Sequence, residues 1–480
     1  MKKLIISLLL VLFIVGCDEV IIPPVDEPII DNPVVEPTPI DENYSRLFDR
    51  DVEKTFTIDI SQTEFNKLDQ YMVSYRNQFG NYKTDQVVSG KLTYEDDLGT
   101  VILDNIAFRA RGNTSRVRLV NDDQSWNPSH YKVYFDKPLY LDETSEAYQT
   151  IDKRSAFGVS ELNFKYNRNG ESSYVAERYS YELFDDFGVL APKVTHAKVY
   201  LKIGAKKMYM GIYNIIESID KDFLKKRINE NDGDLYKSLW QQFGPATLED
   251  NYPEGAIGLK IELDNYFPAY DLKTNKTHNT HLNLRTLITM LNDLDGKYFE
   301  SYIESNFEVD QLIRYLAVGV LVGNPDDYRA MGNNYYLYQN SETLKWQIIP
   351  YDYDHSLGQG WDGAPIFSKY TIGSDIYAWG NLNSHMLGRD LNHPLVDKIL
   401  KIEKYQLLYE AYLKELLDEH FTFESYKTLF ETVMDLYLND DETGLIKVPF
   451  GLRGQSYFEG KRQDVLNQLE YYQNNPSKRP

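Results

Sequence analysis

The stretch from Gly323 to Asp354 most constrains what this chain can fold into. An apolar segment, Leu312 to Val322, carries Ile313, Leu316, Ala317 and Val320 at helical spacing and delivers the chain to Gly323-Asn324-Pro325-Asp326-Asp327-Tyr328. After the polar Asn333-Asn334, the spans Tyr335–Gln339 and Lys345–Ile349 read as two strands joined by a turn at Asn340-Ser341-Glu342. The second strand ends at Pro350 and presents Asp352 and Asp354. Residues two apart on an extended chain share a face, so both carboxylates are expected to point into one space. Two readings stay open on these residues: a site that handles a metal and a hydroxyl, or an acidic turn that binds calcium or is merely solvated.

The amino terminus is a different kind of segment. Lys2-Lys3 precede an apolar run from Leu4 to Val15, broken only by Ser7, and then Gly16-Cys17. Residues 1–16 read as a secretory signal, too short for a comfortable membrane span. Ile14-Val15-Gly16-Cys17 resembles a bacterial lipobox, with cleavage before Cys17 and lipid on its thiol. Cys17 is the only cysteine, which excludes an intrachain disulfide and a cysteine-based zinc site. From Asp18 to Asn43 there are six prolines, eight acids and no Lys or Arg, so the stretch cannot offset its ordering entropy by burial. Residues 17–48 are therefore expected to be a lipidated stalk, and the protein to be extracytoplasmic and tethered to the bacterial membrane.

About 430 residues remain, with 39 tyrosines, enough for a large core. The formal charge of −22 argues against nucleic acid and against unassisted binding to anionic lipid. Thr55–Ile60 alternates as a strand, Gln62–Tyr75 reads as a helix, and Val88–Tyr94 pairs with Val101–Arg111 across Asp96-Asp97-Leu98-Gly99. In the latter strand Ile106, Phe108 and Ala110 share a face, with Arg109 and Arg111 on the other. The exit, Gly112-Asn113-Thr114-Ser115-Arg116, is either a plain turn or one that offers N–H groups and guanidinium charge to a phosphate. Tyr131–Phe135 sets Lys132 opposite Val133 and Phe135, facing solvent or a nucleotide phosphate. A helix from Ser172 or Ser173 to Phe187 has Val175, Tyr179 and Leu183 as its apolar stripe and Glu177 well round from it. Thr195–Ile203 and Lys207–Ile216 form a hairpin across Gly204-Ala205 that ends in Glu217-Ser218-Ile219-Asp220.

A lysine strand, a helix with a glutamate, two strands and a connector, followed by an Asp loop with a trailing Asn, a hairpin and a metal-capable Asp, is the order of parts in a kinase. Arg111-Gly112-Asn113-Thr114-Ser115, Lys132, Gly211-Ile212-Tyr213 to Glu217, Gly323 to Tyr328, Asn334-Tyr335-Tyr336-Leu337-Tyr338 and Asp352-Tyr353-Asp354 together resemble the spore coat protein H (CotH) kinase family. The likeness runs from about Thr55 to Gln473, with Gly460-Lys461-Arg462 before a helix Gln463–Tyr472 resembling the family's closing helix.

The resemblance implies an α+β, divergent, atypical protein-kinase-like fold in two lobes, about 49–220 and 221–475. It implies transfer of phosphate from ATP, with Mg²⁺ or Mn²⁺, to Ser or Thr of a surface or coat protein. Asp326 then stands at the catalytic position, and Asp352 is the metal ligand with Asp354 and Asn334 as further ligands. Arg111 and Lys132 would hold the nucleotide, with Glu177 or alternatively Glu217 as the lysine's partner; Asp327 has no assigned role. There is no His-Arg before Asp326, no Asp-Phe-Gly and no Gly-x-Gly-x-x-Gly, and Tyr351 stands where many members have Trp. Some members are better known as surface or adhesive proteins, so a catalytically silent interaction or assembly protein is the alternative. ATP is scarce outside the cytoplasm, which favours that alternative; Asp326, Asn334 and Asp352 favour the enzyme.

Weaker signals complete the reading. His278 and His281 suit a surface loop better than a zinc site, and paired acids could serve a glycosidase. Phe367–Asp390 is a candidate substrate-facing loop. Two or three amphipathic helices are expected from Pro394 to Leu438, and Asn474–Pro480 is a short polar tail.

Overall fold

The structure is a computed structural model described over residues 42–277, 279–359, 371–379, 391–437 and 443–480. Cys17, His278 and all of Phe367–Asp390 except Thr371–Trp379 lie outside the described residues. Alternation in the first half produces seven strands: β1 Thr55–Ile60, β2 Val88–Asp96, β3 Gly99–Arg111, β4 His130–Tyr134, β5 Glu161–Tyr166, β6 Val194–Ile203 and β7 Lys206–Glu217. They close into a barrel in the order β1-β2-β3-β4-β5-β7-β6, with β6 running parallel to β1. Phe56, Ile58 and Ile60 of β1 are buried while the residues between them are only half-buried. Inside, Phe56 meets Phe164 edge-to-face at 5.1 Å. Closure removes the unpaired edges that an open sheet of these strands would expose.

The early helix extends to Phe79. Ser61 caps it by accepting from the Glu64 N–H at 3.1 Å, and Gly80 ends it in the left-handed region. Two features depart from expectation. A helix at Glu42–Phe48, inside the stretch expected to be stalk, buries Tyr44 and Leu47 in the barrel core, so the fold begins near residue 42 and not 49. The strand β5 was not anticipated, although Leu162 and Phe164 alternate with Asn163 and Lys165 in a readable period of two.

After the connector Ser218–Asp220, a second sheet has the order β12-β11-β8-β10-β9, with β8 Asp234–Ser238, β9 Ile257–Gly258, β10 Tyr270–Leu272, β11 Tyr335–Gln339 and β12 Trp346–Pro350. Helices cover it. The central one, Val309–Val322, is apolar on nearly every side and correspondingly buried all round. It stops at Gly323, with φ 63°, where a Cβ would lie 1.9 Å from the Tyr457 hydroxyl. That hydroxyl donates to the Leu321 carbonyl at 3.0 Å. The closing helix spans Gln455–Asn474, so Gly460-Lys461-Arg462 lie within it and not ahead of it. The polar tail is docked: Arg479 donates twice to Glu410, at 2.7 Å each. No described helix is long and apolar enough to cross a membrane. Between the outer face of the barrel and the second sheet lies a cleft of about 1050 Å³.

Candidate active site

The roof of the cleft follows from strand register. Arg109 on β3 pairs with Lys132 on β4, and Lys132 pairs with Asn163 on β5. Arg111 pairs with His130, and Lys165 stands two residues beyond Asn163 on the same face of β5. All of these residues line the cleft.

Lys165 is the lysine that meets the helical glutamate. Its ammonium donates to Glu177 Oε1 at 2.8 Å and to Asp352, and lies 3.1 Å from Asp354 Oδ2. Glu177 is 3 % exposed, a buried partner and not a surface residue. The expected pairing of Lys132 with Glu177 is therefore corrected. Lys132 sits one strand step away and donates to Glu161, with Ser218 Oγ at 3.4 Å. Glu217 is no partner either: it is sealed against Arg227, at 2.7 and 3.1 Å, and does not line the cleft.

Charge in this cluster is unbalanced, with three carboxylates around one ammonium. Burial alone would lower the Lys165 pKa, but Asp352, Asp354 and Glu177 outweigh it and hold it well above its ordinary value. Burial pushes Glu177 up to about 7; Lys165 offsets part of that rise, and Asp354 and Asp352 add to it. Asp352 is half-buried, and although desolvation would raise it, Lys165 and then Arg111 hold it well below the carboxylate range.

Asp352 is not on an extended segment. Its φ is 60°, β12 having ended at Pro350, and its N–H donates to the Tyr181 hydroxyl at 2.7 Å. The two carboxylates converge through this left-handed turn and their shared lysine, not through strand alternation. Facing them is Asp326. Asn333 Nδ2 donates to its Oδ1 at 2.9 Å, and Asn334 Nδ2 donates to its Oδ2 at 3.0 Å and its carbonyl at 2.9 Å. Asn324 links the two sides: its Oδ1 accepts from the Asp326 N–H at 3.0 Å and its Nδ2 donates to the Asp352 carbonyl at 3.2 Å. Burial raises Asp326 to about 7. Asp327 has a local explanation, since it caps the turn Tyr328–Met331 through the Ala330 N–H at 2.9 Å.

Arg111 donates to the Tyr351 hydroxyl at 2.9 Å, and its Nη1 is buried without a partner. Lys237 Nζ lies 4.0 Å from the Tyr351 ring centre. Burial would raise that phenol, but Lys237 and Arg111 pull it down to about 8. Lys165, Lys237 and Asn333 are site residues that sequence reading passed over; only the alternation of β5 pointed to the first.

The donor set suits a hard divalent cation. Carboxylate oxygens are the ligands such ions take, and Asp352, Asp354 and Glu177 exceed the single charge of Lys165. Among the described residues no three His, Cys, Asp or Glu side chains are already arranged around one point, so an ion would share the aspartates with Lys165.

Comparison with known proteins gives the family. Residues 108–441 match the family described as CotH kinase protein. The chain is 25 % identical over 302 residues to inner spore coat protein H of Bacillus subtilis (strain 168), covering 63 % of this chain and 72 % of that protein. Among solved structures it resembles the Helicobacter pylori proinflammatory kinase CtkA, with TM-score 0.27 and 10 % identity, over 66 % of this chain and 92 % of that one. It also resembles the Shewanella oneidensis MR-1 toxin–antitoxin system HipA and HipB with operator DNA, with TM-score 0.25 and 10 % identity, over 65 % and 58 %. Likenesses of that size are too slight to assign a role to any residue. The family match spans well over half of the chain, which therefore belongs to the CotH kinase family.

Proposed function

We propose that this protein is an extracytoplasmic, lipid-anchored phosphotransferase that moves the terminal phosphoryl group of ATP to a serine or threonine hydroxyl of a surface or coat protein, itself included. What supports the reading most is one juxtaposition: Lys165 held by Glu177, Asp352 and Asp354, with Asp326 across the same cleft. Glu177 keeps the Lys165 ammonium aimed at the space where phosphate oxygens would lie. Asp326, oriented by Asn333 and Asn334, accepts the proton of the acceptor hydroxyl as its oxygen bonds to phosphorus and the bridging oxygen leaves with ADP. Asp352 and Asp354 would hold Mg²⁺ or Mn²⁺, which supplies charge neutralisation to the phosphates when bound.

The test is incubation of the full chain with ATP labelled in its terminal phosphate, with Mg²⁺ or Mn²⁺, followed by mapping of labelled residues. Transfer by wild type that Lys165→Met abolishes and Asp326→Asn lowers by about 10²–10⁴-fold is the expected result. Nucleotide binding without transfer in wild type would defeat the catalytic reading and leave a surface interaction or assembly protein.

A further inference from the structure

A second group of charges lines the cleft away from Lys165. Asp85 receives Lys260 Nζ, with Arg109 Nη1 at 3.3 Å and Arg116 Nη1 at 3.5 Å. The oxygen facing the two guanidinium groups, Asp85 Oδ1, is buried without a hydrogen-bond partner. Lys83, two residues earlier and half-buried, has no carboxylate partner among the described residues. Its Nζ lies 5.2 Å from the centre of the Phe267 ring, which Lys260 Nζ shares at 4.9 Å. Three cations from two parts of the chain thus meet one carboxylate, with Lys83 a fourth beside them over the Phe267 ring, in a protein whose formal charge is −22. Crowded cations in a recess cost free energy unless an anion joins them. Burial lowers Lys260 to about 8 despite Asp85, burial and then Arg109 lower Arg116 to about 10, and burial and then Arg116 lower Lys83, whereas Tyr134 and Asp85 outweigh burial and hold Arg109 above its ordinary value.

We propose that Lys83, Arg109, Arg116 and Lys260 form a second anion site that takes a phosphate-class dianion over Asp85. Its position fits. Arg109 is two residues from Arg111 on one face of β3, about 7 Å along the strand. Arg111 is bonded to Tyr351, next to Asp352, whereas Lys165 lies two strands away. The site therefore adjoins the proposed transfer centre without sharing its lysine. Anion binding stands on this geometry alone. The source of the anion, a nucleotide phosphate or a phosphorylated acceptor residue, rests on the phosphotransferase reading.

The experiment is calorimetric titration of inorganic phosphate into the full chain at pH 7. Lys83→Gln breaks no ion pair, so it should leave the thermal midpoint unchanged while weakening phosphate roughly tenfold, the loss of one charge-assisted contact. Asp85→Asn removes the competing carboxylate and should tighten phosphate several-fold, the opposite of what a variant that merely loosens the fold would do. Unchanged phosphate affinity in Lys83→Gln overturns the proposal and leaves Asp85 as an internal counter-ion, whether or not Asp85→Asn folds. Two further titrations assign the source. ATP displacing phosphate, with Lys83→Gln weakening ATP by the same factor, makes it the nucleotide's. Phosphate that still binds with ATP saturating, and is displaced by O-phosphoserine, makes it the acceptor's. Failure of phosphoryl transfer with these phosphate responses intact would remove the enzymatic reading but not the site.

Discussion

Lys165→Met combined with Glu177→Gln is the sharpest test of how the cleft is wired. The lysine and Glu177 are 2.8 Å apart with side chains 7 % and 3 % exposed. At an effective dielectric constant of about 20 their attraction is about 6 kcal/mol before desolvation is charged against it. Removing the lysine strands a buried carboxylate beside Asp352 and Asp354, a situation that typically costs about 3–5 kcal/mol. Adding Glu177→Gln takes away the stranded charge, so the double variant should recover roughly 2 kcal/mol or more relative to the sum of the singles. Urea unfolding at pH 8.5, above the value of about 7 to which Glu177 is raised and where Lys165 is still charged, followed by tryptophan fluorescence, measures all four corners of the cycle. Lys132→Met with Glu177→Gln is the control and should be additive, because Lys132 bonds Glu161 instead. Additivity within about 0.5 kcal/mol for the Lys165 cycle, or coupling in the Lys132 cycle, would refute the reasoning.

Four further outcomes are expected. Asp326→Asn should keep nucleotide binding and lower turnover by about 10²–10⁴-fold, read by labelled-phosphate transfer beside ATP titration. Asp352→Asn should weaken metal-dependent nucleotide binding as well as turnover, so equal ATP affinity with and without the substitution would argue against its role as a ligand. Lys461, fully buried, donates to the Thr371 carbonyl, and burial lowers it to about 7, against about 10.4 for an unfolded lysine. The unfolded chain binds more protons between those values, so stability should rise from pH 7 toward pH 10; Lys461→Met should abolish that slope and be the more stable protein at pH 7, as urea midpoints at pH 7 and 9 will tell. Cys17→Ser should free the protein from membrane fractions or leave it uncleaved, and a Ser variant that still carries lipid by mass would end the lipoprotein proposal.

Much of the site could be read locally. The helix ending at Gly323, the hairpin Tyr335–Pro350 and the acids flanking them are set by short-range rules: apolar spacing, a left-handed glycine cap, and an Asn340 side chain that accepts the Glu342 and Thr343 N–H groups in the turn. The split of β3 into an apolar face and an arginine face is likewise a period-two pattern. The helix Glu42–Phe48 was hidden because an acidic, proline-rich approach masks it, and what holds it to the barrel is distant in sequence: Tyr44 and Leu47 in the core and Arg46 donating to Asp96 and to the Gly99 carbonyl.

The sequence alone determined which residue types reach the cleft; it did not determine which of them meet. Lys132 and Lys165 both sit mid-strand, each opposite a buried apolar face, and nothing local distinguishes them. The choice was made by barrel register, which sets Lys132 against Asn163 and leaves Lys165 one step further along, level with Glu177. The meeting of Asp352 with Asp354 over that lysine was decided in the same way, by a left-handed turn held through the Tyr181 hydroxyl and the Asn324 amide from distant segments. Contacts of this kind reach up to 187 residues along the chain, from Lys165 to Asp352, and the energy of the long ones exists only once the barrel has closed against the second sheet.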